Sequence, residues 1–196
     1  MPRENKTRYA VLGLLSLKPM TGYEMKGVIA NSVGYFWNES FGQIYPMLNQ
    51  LAQEGLVEGT EETEGRHHRV RYALTGAGLQ ALQNWLNSEP ETFTLRDELL
   101  LKLFFGKEAD KGTLSRHLER ALAESRGKLA LYQGIEEQLR SQLGTRVYAH
   151  FSLITVRKGI HWEQAMIDWC QESLAALEHV PEKPAYSGKA GNSPRN

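Results

Sequence analysis

The chain has a single cysteine, Cys170, in 196 residues, so no intramolecular disulfide can form and the sequence suits a reducing compartment. It has no surplus of either charge: 23 Lys and Arg meet 23 Asp and Glu, for a formal net charge of zero. Nucleic-acid binders usually carry a basic footprint, so any positive surface has to come from placement, not from composition. No apolar run approaches the roughly 20 residues that span a bilayer, and the polar N-terminal stretch lacks a signal-peptide hydrophobic region. Together these predict a soluble cytoplasmic protein with no membrane partner. A phosphate-binding glycine loop, a nucleophile elbow and a carboxylate constellation are also missing, so a non-enzyme without cofactor is expected. His67 and His68 are adjacent and would face opposite ways on a strand, while His117, His150, His161 and His179 lack paired metal spacing. No metal site is expected from them. Cys170 falls beside Trp169 on an apolar helical face, where a buried thiol is the ordinary outcome.

What the sequence does have is a patterned stretch from Ser40 to Thr75. Ile44, Met47, Leu48 and Leu51 recur at helical spacing and predict one buried face. The opposite face carries Gln43, Tyr45, Asn49, Gln50 and Gln53, where a solubilising face would carry Lys and Glu. Neutral amides both donate and accept, and can pair bidentately with adenine in a major groove. Gly42 would let backbone approach DNA closely, and Pro46 would stiffen the leading end. Pro46 also leaves two starts open, one near Gly42 and one through a kink, because proline is tolerated only in a first turn. Gly55 ends the helix, Leu56-Val57 opens a strand, Glu61 to Gly65 is expected to turn, and Arg69 to Leu74 alternates as a second strand. A helix followed at once by such a ribbon predicts a winged helix-turn-helix. Arg66, His67, His68, Arg69 and Arg71 of the wing are then candidates for phosphate contacts.

These residues carry a resemblance. The pattern Gly-x-Ile-Tyr-Pro, spaced leucines, Glu-Gly-Leu-Val and Tyr-x-Leu-Thr, present at Gly42 to Pro46, Leu48, Leu51, Glu54 to Val57 and Tyr72 to Thr75, resembles the PadR-like transcriptional regulators. Leu12-Gly-Leu-Leu and Thr21-Gly-Tyr-Glu-Met also fit, so the likeness covers roughly residues 7 to 80. One departure is the acidic Glu61-Glu-Thr-Glu64, where a Lys-rich wing would be expected.

Upstream, Thr7 to Leu17 is apolar enough for a first helix, stopped by Lys18-Pro19. Thr21 and Glu24 form a capping box for a support helix, whose amino end, with Thr21 and Tyr23, is a candidate phosphate contact. The aromatics of Gly34-Tyr-Phe-Trp37 are expected to pack between domains or subunits. A fourth helix, Thr75 to Leu86, should turn Leu79, Leu82, Trp85 and Leu86 inward. The polar, proline-containing stretch from Asn87 to Thr94 separates a domain 1–88 from a helical domain 94–180, with a disordered tail 181–196.

In the second domain a very apolar helix, Leu95 to Phe105, needs covering on several sides. Two helices of about 30 residues, Asp110 to Leu143 and Val147 to Leu177, should form an antiparallel hairpin too long for the first domain to cover. Pairing with a second copy follows, and the likeness to the virulence-activator type of PadR-like regulators implies the same use. The fold class is therefore mainly α with a small β-wing, a homodimer that would read an inverted repeat with helices about 34 to 36 Å apart or a multiple of that.

The family likeness also implies a small aromatic or phenolic effector. Tyr148, His150, Phe151, Arg157, His161 and Trp162 are the candidates for its pocket, with filling of a dimer core as the competing use of the same side chains. The expected function is a sequence-specific regulator of transcription on double-stranded promoter DNA, a repressor in preference to an activator. The alternative is a winged-helix module that binds protein instead, which the neutral charge would suit.

Overall fold

Hydrophobic spacing and capping chemistry together place the helices. The computed structural model describes residues 6–30, 41–64, 67–91 and 96–181, and the chain divides into two units, Met1–Phe93 and Thr94–Asn196. Residues 31–40, with the Gly34 to Trp37 aromatics and Ser40, lie outside the described residues, as do Arg66 and the tail from 182.

In the first unit, α1 (Thr7–Leu17) buries Val11, Leu12, Leu14 and Leu15. A two-residue strand β1 (Met20–Thr21) follows, then α2 (Gly22–Ala30), α3 (Ile44–Gln53), β2 (Val57–Glu64), β3 (His67–Leu74) and α4 (Gly76–Leu86). Their apolar faces meet in one core of Leu12, Met25, Ile29, Ile44, Leu48, Leu51, Val57 and Leu82, with Tyr72, Leu74 and Trp85 packed on it. Tyr9 of α1 stacks on Trp85 of α4, ring centroids 4.5 Å apart and 5° from parallel. The face of α4 turned inward runs through Gly78, Leu82 and Trp85, and the expected Leu79 and Leu86 are exposed, because they lie round the helix from that line.

The wing is longer and better paired than the sequence suggested. The sheet is antiparallel in the order β1-β3-β2, so Met20 and Thr21 add a third strand beside Tyr72 and Arg71. β2 runs through the acidic stretch to Glu64, with Glu61 opposite Val70, Glu62 opposite Arg69 and Glu64 opposite His67. The expected turn at Glu61 to Gly65 is thus strand as far as Glu64, supported by the diagonal ion pair of Glu62 with Arg71.

In the second unit Asp97 caps α5 (Glu98–Phe104) by accepting from the amides of Leu99 and Leu100, so α5 starts later than the expected Leu95. Nothing in α5 is buried, and Phe104 is 82% exposed. Asp110 likewise caps α6 (Lys111–Arg140), its side chain accepting from the amide of Thr113, and α7 (Val147–Glu178) returns antiparallel. Lys111 of α6 donates to the carbonyls of Glu178 and Val180 at the far end of the hairpin. Midway, Gly159 has no side chain where the ring of Tyr132 lies; a Cβ there would come within 2.9 Å of the ring. At 30 and 32 residues each helix is about 45 to 48 Å long. Among the described residues no helix is long and apolar enough to cross a membrane.

Candidate nucleic-acid interface

The entry into α3 resolves the question posed by Pro46. A 3-10 turn, Phe41–Gln43, leads in, and the α-helix starts at Ile44, which puts Pro46 third in the first turn, where its missing N–H costs little. The far end closes on Gly55 at φ 71°, the left-handed conformation that glycine adopts without strain. Leu56 N donates to Leu51 O at 2.9 Å and Gly55 N to Ala52 O at 3.1 Å, which satisfies two carbonyls of the last turn of the helix. Ile44, Met47, Leu48 and Leu51 face the core. Gly42, Gln43, Tyr45, Pro46, Asn49, Gln50 and Gln53 are all exposed.

These outward residues are not equivalent. Gln50 donates from Nε2 to Glu54 Oε1 at 2.8 Å, and Glu54 is held in turn by Arg8 of α1 at 2.7 Å. One of its two amide N–H groups is therefore engaged at the end of α3. Tyr45 is 56% exposed but its ring lies against Gly22 at the start of α2, close enough that a Cβ on residue 22 would sit 2.7 Å from Cε1. Asn49 and Gln53 complete the outer stripe at i and i+4. Gln53 belongs to the polar face that the sequence marks, and with Gly22 it widens the candidate set.

Beside α3 an open cleft of about 1060 Å³ is lined by Thr21, Tyr23, Tyr45, His68, Arg69 and Tyr72 among others. Its walls come from α2, α3 and the wing. Tyr23 is 79% exposed, and His68 and Arg69 are exposed on β3. Only the strand placement of His67 is described.

Two candidates have other work in the fold. Thr21 is buried in the capping box: its amide donates to Glu24 Oε2 at 2.7 Å and its hydroxyl accepts from the Glu24 amide at 3.2 Å. Arg71, expected at phosphates, is held by carboxylates of its own chain. It donates to Glu62 at 2.7 Å and to Glu24 at 3.0 Å. Sequence spacing gives no sign of this, because Glu24 lies far along the chain. The Thr21 amide holds the Glu24 carboxyl below its ordinary range, burial opposes this, and Arg71 lowers it further.

The six residues expected to line an effector pocket do not converge. Tyr148, His150, Phe151, Arg157, His161 and Trp162 are exposed and spread over about half the circumference and about four turns of α7. Arg146 donates to the Tyr148 hydroxyl at 2.7 Å, and Lys158 lies 4.8 Å from the Trp162 ring centre. A single helix does not enclose a ligand, so in one chain these side chains form a surface and not a cavity.

A short helix with a neutral amide face, a capped support helix and a three-stranded sheet with a projecting ribbon define a winged helix-turn-helix protein. Residues 11–84 match the model of the transcriptional regulator PadR-like family, and residues 95–178 match that of the virulence activator alpha C-terminal region. The chain is 28% identical to Bacillus subtilis PadR, whose crystal structure with operator DNA it matches with a TM-score of 0.79 over 89% of this chain and 98% of that one. A B. subtilis PadR structure with p-coumaric acid matches at 0.73, with 28% identity over 89% and 99%. The Vibrio cholerae virulence activator AphA is 30% identical, with a TM-score of 0.72 over 87% of this chain and 97% of that one. The chain belongs to the PadR-like family of transcriptional regulators.

Proposed function

We propose that the protein is a cytoplasmic homodimer that binds an inverted-repeat operator in double-stranded DNA and represses transcription from it. In this reading the first unit meets DNA and the second dimerises. The observation that carries it is the outer stripe of α3, with Tyr45, Pro46, Asn49 and Gln53 exposed beside the cleft bounded by His68 and Arg69. Amides at that spacing address base edges in a major groove, while His68 and Arg69 on the adjoining strand address the backbone. B. subtilis PadR is a negative transcriptional regulator, and its complex with operator DNA supports the same reading.

Dimerisation is supported by surfaces that a lone chain leaves bare. Phe151 and Ile154 of α7 are 67% and 68% exposed, and Leu101, Phe104 and Phe105 at α5 are exposed as well. Apolar area of this extent is ordinarily covered in a soluble protein. A small aromatic acid as effector rests on the p-coumaric acid complex of the relative; it would act by preferring the dimer geometry that does not fit DNA.

Retention of genomic fragments by the purified protein, measured across a salt series, tests the central step. Binding should weaken steeply with salt, with fragments sharing an inverted repeat enriched over bulk DNA. Retention that is absent, or enrichment of no sequence, would leave the protein-binding alternative in its place.

A further inference from the structure

The acidic stretch of the wing sits badly with phosphate binding until its partners are considered. Arg71 on β3 donates from Nε to Glu62 Oε1 at 2.7 Å, from Nη1 to Glu24 Oε2 at 3.0 Å and to the carbonyl of Pro19 at 3.2 Å, and from Nη2 to Glu24 Oε1 at 3.4 Å. Glu24 Oε2 also accepts from the Thr21 amide at 2.7 Å. One planar guanidinium thereby joins both wing strands to the segment before β1 and to the first turn of α2, a use for which the fork of arginine is suited and the point charge of lysine is not.

Charge decides between this use and a phosphate contact. One guanidinium with two carboxylates has a formal charge of minus one, so a phosphate approaching the cluster meets net repulsion. The cation serves the carboxylates. Geometry then says what the cluster controls. His68 lies three residues beyond Arg71, about 10 Å along the strand, so a tilt of roughly 10° at the clamp moves it by about 2 Å. That displacement exceeds the latitude of a hydrogen bond to a phosphate oxygen.

We infer that Arg71, Glu24 and Glu62 are positioning residues that fix the pitch of the wing against the helix-turn-helix, so that His68 and Arg69 meet the DNA backbone while α3 occupies the groove. Among the acids of the wing, Glu62 serves to hold it. This rests on the DNA-binding reading above and extends it.

Glu24→Gln separates the roles, because the glutamine oxygen still caps α2 while the charge that holds Arg71 is gone. The full-length protein, Glu24→Gln, Arg71→Gln, Arg71→Lys and the Glu24→Gln/Arg71→Gln double variant are compared on a duplex selected from a random pool by the parent protein. Both glutamine variants should bind about threefold to fivefold more weakly, the scale of one partly exposed ion pair. They should lose hydroxyl-radical protection of the sugars under the wing and keep the parent's base-interference pattern. The double variant should be no weaker than either single one, and Arg71→Lys should recover little.

If Arg71 instead touches phosphate, Glu24→Gln removes a repelling charge and binds more tightly while Arg71→Gln binds more weakly; opposite signs overturn the inference. Unchanged wing protection in both glutamine variants overturns it as well. A parent protein that selects no duplex from the pool brings down the DNA-binding reading, and this inference with it.

Discussion

The ring of Tyr45 on α3 lies across Gly22 at the start of α2, and a methyl group on residue 22 would stand 2.7 Å from Cε1 and 2.9 Å from Cζ of that ring. The contact seats an exposed aromatic of the recognition helix on the support helix. Gly22→Ala should push the ring outward, because the ring is the movable partner, and stability should change by less than about 1 kcal/mol. Affinity for the selected duplex should fall about fivefold, the scale of one displaced base-edge contact. Thermal melting and fluorescence anisotropy on the same sample check the pair of outcomes.

Asn49 and Arg69 should fail in different ways. If α3 reads bases as proposed, Asn49→Ala removes an amide from its outer stripe, so specific binding should drop while binding to random duplex holds. Arg69→Ala should weaken both alike and reduce the salt slope by about 1. Salt titrations on selected and scrambled duplexes measure both; equal losses on the two duplexes by Asn49→Ala would show that this side chain reads nothing.

Thr75 joins two distant parts of the family pattern. Its hydroxyl donates to Gly55 O at 2.8 Å and accepts from the amide of Gly78 at 3.0 Å, capping α4 against the end of α3. Thr75→Ala should cost about 1 to 2 kcal/mol, as for other lost N-caps. A downward shift of the urea midpoint with unchanged slope is the expected signature.

Glu24 gives the first unit an acid-sensitive contact. Its carboxyl lies below the ordinary 4.5 in the folded protein, chiefly through the Thr21 amide, with Arg71 adding to the effect. A depressed folded value means that the contribution to stability is present above the unfolded value and is lost as pH falls through the folded one. A side-chain carboxyl titration by NMR should give a Glu24 midpoint below 4.5, and Arg71→Gln should raise it. A midpoint at the ordinary value in the parent would remove the contact from solution.

Ile154 and Phe151 stand one turn apart on the bare face of α7, a region where a carboxylate would be stranded if covered by a second copy. Ile154→Asp should convert a dimer to a monomer in sedimentation velocity while helical content persists, and should abolish high-affinity operator binding. Persistence of the dimer would place the contact elsewhere.

The sequence alone determined what is local. The ends of α1, the capping box of Thr21 with Glu24, the stop at Gly55, the long hairpin and the two faces of α3 were all legible, because helical period, caps and left-handed glycines are set within a few residues. Tertiary structure decided what depends on pairs remote in the chain. The third strand, the strand-like run through Glu61 to Glu64, the seat of Tyr45 on Gly22 and the capture of Arg71 by Glu24 were not readable, since an exposed arginine in an alternating strand looks the same whether its partner is a phosphate or a carboxylate 47 residues away. The scattering of the six α7 residues has the same origin. Composition can name a pocket's chemistry, but only the surfaces that close over a helix decide whether those side chains enclose a space or cover a neighbour.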